Sequence, residues 1–362
     1  MINNNRTYRI AVLPGDGIGP EVIAEGIKAL HAVEAKLNGV QFELREFSVG
    51  AGEYLKSGDP LPPTTFEAIK QFDAILLGAM GLPDIRWPNG VEMTPQIDLR
   101  ERLDLYCGLR PVRLYHANDT PLKRYGPGEI DLLIVRESTE GLFSSRLNRF
   151  PPGVAEATDT MRITQGASER LFRAAFREAR KRRGLVSLVD KANVLPSMAF
   201  FRGVFEKISR EFHDVRTEKV YVDAAALYLV QQPHRFDVLV TENMFGDILS
   251  DLTGGLVGGM GMAPSADIGD EYAVFQPSHG TAPEIAGQGI ANPAATILSV
   301  AMMLDWFDHE ETRRGAQMIQ RAVEEVFHSP TNRTRDLVRD PSSALSTIQM
   351  GDLIAERIVE VH

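Results

Sequence analysis

The chain has 362 residues, 43% of them hydrophobic and 24% charged, a balance that excludes whole-chain disorder and favours about two globular domains. Its formal net charge of -10 argues against nucleic acid or an anionic membrane as the main partner, while leaving room for a locally basic pocket. The single cysteine, Cys107, can form neither an internal disulfide nor a cysteine metal site, and reads as a small buried residue in a reducing compartment.

The chain does not open on a basic stretch followed by an apolar one, and no window of about 18 apolar residues occurs. The expectation is therefore a cytoplasmic protein with neither signal peptide nor membrane span. In chain order, apolar runs at residues 8–13, 72–78, 131–136, 185–189, 220–222 and 236–240 predict strands. One helix is expected from about Pro20, a residue suited to the first helical turn. Others are expected over 168–183, 194–212, 223–230 and 293–307. The alternation predicts an α/β fold with a largely parallel sheet. The basic run Arg180 to Arg183 falls at a predicted helix end, where it complements the dipole and stays solvated. The glycines of GGLVGGMG, residues 254–261, predict a bend or a crossing between domains.

Five segments carry candidate chemistry. In PGDGIGPE, residues 14–21, Gly15 and Gly17 fit the dinucleotide fingerprint G-x-G-x-x-G, but Pro20 stands at its third glycine. A tight strand-to-helix turn is favoured over a Rossmann cradle. In MFGDILSDL, Asp247 and Asp251 are spaced i, i+4 and share a helix face, where two carboxylates want water or a hard cation such as Mg²⁺ or Mn²⁺. Asp223, at the start of DAAALYLV, reads as a helix cap. Arg100, Arg110 and Arg136 lie at element ends and suit a carboxylate clamp, with surface salt bridges as the plainer alternative. Lys191 in VDKANVLP follows a strand, where α/β proteins place ligand residues, and could take a proton if buried; an exposed loop lysine is the alternative. Finally, HGTAPEIAG, residues 279–287, and the following Ala291-Asn292-Pro293 suit close backbone approach to a planar, phosphate-bearing ligand.

LPGDGIGPE, LDLYCGLRP, LIVRESTEGLF, DKANVLP, FDVLVTENMFGDILSDL, APSADIGD, HGTAPEIAG and GIANPAATILSVAMMLD follow one another over nearly the whole chain. Together they resemble the β-decarboxylating dehydrogenases that act on isopropylmalate, isocitrate, homoisocitrate, tartrate or D-malate. The resemblance implies a two-domain α/β isocitrate/isopropylmalate dehydrogenase-like fold with a large mixed sheet, not the usual Rossmann domain. It implies a discontinuous cofactor-binding domain, residues 1–105 plus 258–362, and a dimerisation and substrate/metal domain, residues 106–257. Arg100, Arg110 and Arg136 then hold the carboxylates of a hydroxy-dicarboxylic acid, and Asp247 and Asp251 hold Mg²⁺ or Mn²⁺. Asp223 is a further metal ligand and Lys191 the catalytic lysine, both reaching across a homodimer. His279, Gly280, Thr281, Ala282, Glu284, Ile285 and Asn292 surround the adenosine half of the dinucleotide. The implied reaction is oxidation at C2 with proton uptake by Lys191 together with Asp223 and a water, loss of CO₂ from the 2-oxo acid, and protonation at C3. Glu284, where NADP-using relatives carry lysine, implies NAD, because a carboxylate beside the ribose accepts from its hydroxyls and repels a 2′-phosphate.

The chain departs from the family pattern at three places. Phe143 stands where relatives usually carry the tyrosine that protonates C3. Thr94 and Gln96 lie in the helix that reads the C3 substituent, and Gln96 replaces the leucine usual in isopropylmalate enzymes. Burying its amide against an isopropyl group costs about 1–3 kcal/mol, which favours a polar or small substituent, as in isocitrate, tartrate or D-malate, and makes isopropylmalate the alternative. The segment TNRTRDLVRDPSS, residues 331–343, lacks the glycine-rich loop of relatives. A catalytically weak regulatory subunit of this fold is the reading from another class, and Phe143 is the feature that favours it.

Overall fold

The computed structural model describes residues 6–151 and 153–360. Its first unit is the expected strand, turn and helix: β1 (Arg6–Gly15) and α1 (Gly19–Glu34), with proline in the first turn of α1. β2 (Val40–Glu46), α2 (Ala51–Ser57), α3 (Pro63–Ile69), β3 (Ala74–Ala79) and α4 (Pro95–Arg102) follow. Every residue of β3 is buried, as a parallel strand covered on both faces requires.

The middle of the chain contributes β4 (Cys107–Arg113), β5 (Asp131–Glu137), α5 (Gln165–Arg180), β6 (Leu185–Asp190), α6 (Pro196–Ser209), β7 (Arg216–Tyr221), α7 (Val222–Gln231), β8 (Val238–Thr241) and α8 (Asn243–Gly255). The chain returns through β9 (Pro264–Ile268), β10 (Ala273–Pro277), α9 (Ala294–Trp306), α10 (Glu310–His328) and α11 (Thr347–Glu360). The glycine cluster after α8 makes the expected bend, with Gly258 and Gly259 at positive φ.

All ten strands join one sheet ordered β2-β1-β3-β10-β9-β4-β5-β8-β6-β7. Its two ends are parallel, but β10–β9, β9–β4 and β4–β5 pair antiparallel in the middle. The sheet is thus mixed, as the resemblance implied, rather than largely parallel, as the alternation alone suggested. The strands that make the difference, β4 and β9, contain Arg110, Pro111, Pro264 and Asp267 and do not read as apolar runs. Pro111 is accommodated because β9 pairs only with Cys107–Leu109, so β4 has one neighbour there.

The largest hydrophobic core joins residues 8–76 to residues 262–358, with Ile10, Leu30, Phe42, Phe275, Ile297 and Phe327 among its buried members. A second core, centred on Phe172, Phe176, Phe201 and Phe205, is built wholly from residues between 106 and 240. Cys107 is buried in it, and burial pushes its thiol far above the usual range, so the bland reading of this residue stands. The basic run after α5 is also structural: Arg180, Lys181 and Arg182 pair with Asp214, Glu178, Asp131 and Asp237. No helix among the described residues is long and apolar enough to cross a membrane.

Candidate active site

The central strands and α8 bring distant segments to one cavity, lined by Gln96, Arg100, Arg110, Arg136, Asp247, Ser250, Asp251, His279 and Gly280 among others. Eight of the residues singled out in the sequence as binding groups line it. They come from α4, β4, β5, α8 and the loop after β10.

The arginines are held by protein groups, each in its own way. Arg136 is buried on β5 and donates from Nε (3.0 Å) and Nη2 (2.7 Å) to Asn243 Oδ1, which turns the remaining end of its fork toward α8 and Asp247. Burial, and then repulsion from Arg100, pull Arg136 down to about 10, which leaves it cationic at neutral pH. Gly246 makes the approach possible, since a Cβ there would stand 2.6 Å from Arg136 Cγ. Arg110 Nη1 donates to the Leu109 and Ala266 carbonyls, each at 3.0 Å. Arg100 and Arg110 share Asp267, with Nε to Oδ2 and Nη2 to Oδ1 both at 2.9 Å.

Asp267 is the residue that sequence reasoning missed. It lies inside the motif APSADIGD, but nothing in the composition of that stretch marks a partner 167 positions away. It is fully buried, and burial alone would raise its pKa; Arg100, Arg110 and Arg136 outweigh that and hold it well below the carboxylate range. Asn243 is the second omission, at the start of α8, where Glu242 caps the helix by accepting from Phe245 and Met244 N–H.

Asp247 and Asp251 both line the cavity, as their spacing predicts. Partial burial and then the charge of Asp247 push the Asp251 carboxyl up. Two converging carboxylates with oxygen donors suit Mg²⁺ or Mn²⁺, and among the described residues no group of three or more acidic, His or Cys side chains closes a metal shell by itself. Lys191 and Asp223 are not in this cavity. They pair with each other at 2.7 Å, and Asp223 sits within the first turn of α7 rather than at its cap, which is Tyr221.

The glycine turn and the HGTAPEIAG loop meet. Gly15 and Gly17 have positive φ, and a Cβ on either would collide with a backbone oxygen, of Ala79 at 1.8 Å and of Thr281 at 2.0 Å respectively. Ile18 N–H donates to Thr281 O at 2.8 Å. The turn therefore supports the loop, while the side chain of Asp16 ties Ala51, Gly52 and Gly81 N–H together. Ala282 and Ile285 pack on Ile18, Val22 and Ala291, and Glu284 is exposed. His279 Nδ1 faces Gly280 O at 2.9 Å, leaving Nε2 buried without a partner, while Gly280 opens onto free space. These are the features of a loop shaped for a further ligand. Asn292 is already engaged, accepting from Ala294 N–H and donating to Asp336 at 3.2 Å, so the segment 331–343 packs against this loop. Thr94 precedes α4 with no capping bond from its side chain and does not line the cavity. Gln96 does, and its Oε1 is buried without a partner.

The family model for isocitrate/isopropylmalate dehydrogenase matches residues 9–354. The chain belongs to this family. It is 44% identical to the 3-isopropylmalate dehydrogenase of Moorella thermoacetica, over 98% of this chain and 99% of that one. It is 41% identical to the 3-isopropylmalate dehydrogenase of Aquifex aeolicus, over 98% of each. Among solved structures, an isocitrate dehydrogenase from Methylococcus capsulatus superposes with a TM-score of 0.87 at 37% identity, covering 97% of this chain and 99% of that one. A β-decarboxylating dehydrogenase from Thermococcus kodakarensis gives 0.80 at 34%, covering 98% and 96%. The isocitrate/isopropylmalate dehydrogenases are decarboxylating oxidoreductases that act on CH–OH groups and use NAD with Mg²⁺ or Mn²⁺.

Proposed function

We propose that this chain oxidises and decarboxylates a (2R)-malate-type acid with NAD⁺ and a divalent cation. The observation that carries this is the convergence of Arg100, Arg110 and Arg136 with Asp247 and Asp251 in one cavity. When bound, the cation supplies Lewis acidity at the 2-hydroxyl and NAD⁺ supplies the hydride acceptor. The arginines fix the two carboxylates, Asp247 and Asp251 hold the cation, and Lys191 accepts the hydroxyl proton. Glu284, exposed on the HGTAPEIAG loop, would disfavour NADP⁺, since a carboxylate beside the ribose repels a 2′-phosphate.

The pairing of Lys191 with Asp223 outside the cavity supports a homodimer in which each subunit completes the other's site. Val194, Leu227, Val230 and Ile248 are exposed on the segments carrying these groups and on α8, an apolar face suited to self-association.

Two readings of the C3 substituent remain. The names of the relatives favour 3-isopropylmalate over the polar group expected from Gln96. The unpaired Gln96 Oε1 favours a small substituent with a hydroxyl, as in tartrate. NADH formation with Mn²⁺ and a panel of 3-isopropylmalate, D-malate, tartrate and isocitrate, repeated with NADP⁺, decides between them. We expect one acid to dominate kcat/KM with NAD⁺; no turnover of any acid would overturn the enzymatic reading.

Phe143 lies on a 3-10 turn (Leu142–Ser145), its ring 5.2 Å from the Arg136 guanidinium. It cannot give a proton to C3. Phe143→Tyr places a hydroxyl there and is expected to raise kcat by up to about 10²-fold, the scale of one general acid. Unchanged kcat and unchanged deuterium incorporation at C3 in heavy water would exclude a protonation defect at this position.

A further inference from the structure

We infer that the cavity accepts an acid with two carboxylates and rejects one with three, and that Asp267 sets this limit. The inference rests on the proposed reaction. Asp267 is fully buried, bridges Arg100 and Arg110, and accepts from Gln276 Nε2 at 2.8 Å. It is a permanent anion set behind the cavity wall, and it cancels one arginine charge before any substrate arrives. Arg136 is treated differently. Asn243, a neutral amide, orients the guanidinium without reducing its charge, and its ionic contact is Asp247, a carboxylate assigned to the cation.

The remaining charges match in pairs. The carboxylates of Asp247 and Asp251 balance a divalent cation, and Lys191 with Asp223 balances itself at 2.7 Å. Two positive charges are left for the substrate. Those suit the two carboxylates of a malate whose C3 substituent is uncharged. A third carboxylate has no cation waiting for it. Gln96, the cavity's group from α4 beside Arg100, offers a neutral amide, which can hydrogen-bond a carboxylate but brings no charge to balance it. An unpaired charge held in such a place is disfavoured strongly enough to act as a specificity device.

The test compares isocitrate with 3-isopropylmalate, tartrate and D-malate, by kcat/KM and by calorimetric binding with Mn²⁺ in the absence of dinucleotide. For the wild-type chain, isocitrate should fall about 100-fold or more below the best dicarboxylate in both measurements. Asp267→Asn keeps the shape and removes the charge, and should narrow that gap by about tenfold. Isocitrate bound and turned over within about tenfold of the best dicarboxylate overturns the inference, as does a folded Asp267→Asn variant with the gap unchanged. Should the variant fail to fold, the wild-type comparison still decides. Preferential binding of a dicarboxylate without turnover supports the inference and faults only the catalytic reading. No binding of any acid overturns both.

Discussion

Asp251→Asn should lower kcat/KM by about 10³-fold or more, the equivalent of several kcal/mol of lost charge stabilisation at the reacting oxygen. The substitution removes one of the two converging anions of α8 and leaves the other, Asp247, already paired with Arg136. A single carboxylate engaged by a guanidinium is a poor site for a hard cation, which prefers several anionic oxygens. The fold should be indifferent. Asp251 is exposed, and its carboxyl is pushed up by partial burial and by Asp247, so a neutral amide relieves repulsion. Calorimetry with Mn²⁺, beside urea unfolding, separates the two effects. We expect Mn²⁺ affinity to collapse while the unfolding midpoint holds. A variant that keeps wild-type Mn²⁺ affinity and turnover would remove Asp251 from the metal site.

Lys191→Ala should lower kcat by about 10²–10⁴-fold, the range for loss of a positioned acid–base group. Among the described residues the ion-pair partner of Lys191 is Asp223, outside the cavity, so we expect its effect on catalysis to come through a second subunit. That requirement gives a sharper test. Lys191→Ala and Asp251→Asn chains, each inactive alone, should regain about a quarter of wild-type activity after unfolding and refolding together, because half of the dimers are mixed and each mixed dimer has one intact site. Sites built within single chains would give no recovery.

Much of this was legible in the sequence; β2 and β10 were not read as strands, and two further omissions, β4 and β9, share a cause with the missed site residues. The buried parallel strands β1, β3, β5, β6 and β8 announce themselves as apolar runs, because both their faces are covered. The i, i+4 spacing of Asp247 and Asp251 places both on one side of α8 without further information. β4 and β9 were illegible because they carry the polar site. A strand holding Arg110 or Asp267 does not look like a strand, since its inward groups are satisfied by partners far away in the chain. The same blindness hid Asp267 and Asn243. Their importance lies in what they hold, and holding is a property of the fold. Gln96 shows the opposite limit. Sequence reasoning argued from the cost of burying its amide against an isopropyl group to a polar or small substituent, and the structure leaves its Oε1 buried without a partner, yet the relatives' names favour the substrate that reasoning had set second.

The way the sheet is threaded has a consequence for synthesis on the ribosome. The core of Phe172, Phe176 and Phe205 closes with residues no later than 240, so it can assemble while the rest of the chain is still being made. The N-terminal segment, first to emerge, can do likewise on one face of its sheet only. Its strand β3 pairs with β10, and the apolar faces of β1 and α1 are covered by α9, α10 and α11, whose residues run to 358. Ile10, Leu30 and Phe42 therefore stay wet until translation is nearly finished, at about 5–20 residues per second a wait of tens of seconds. β2 and β3 can pair β1 at once and α2 and α3 can cover one face, but the other apolar face of this small sheet stays open to chaperones and to other nascent chains during that interval.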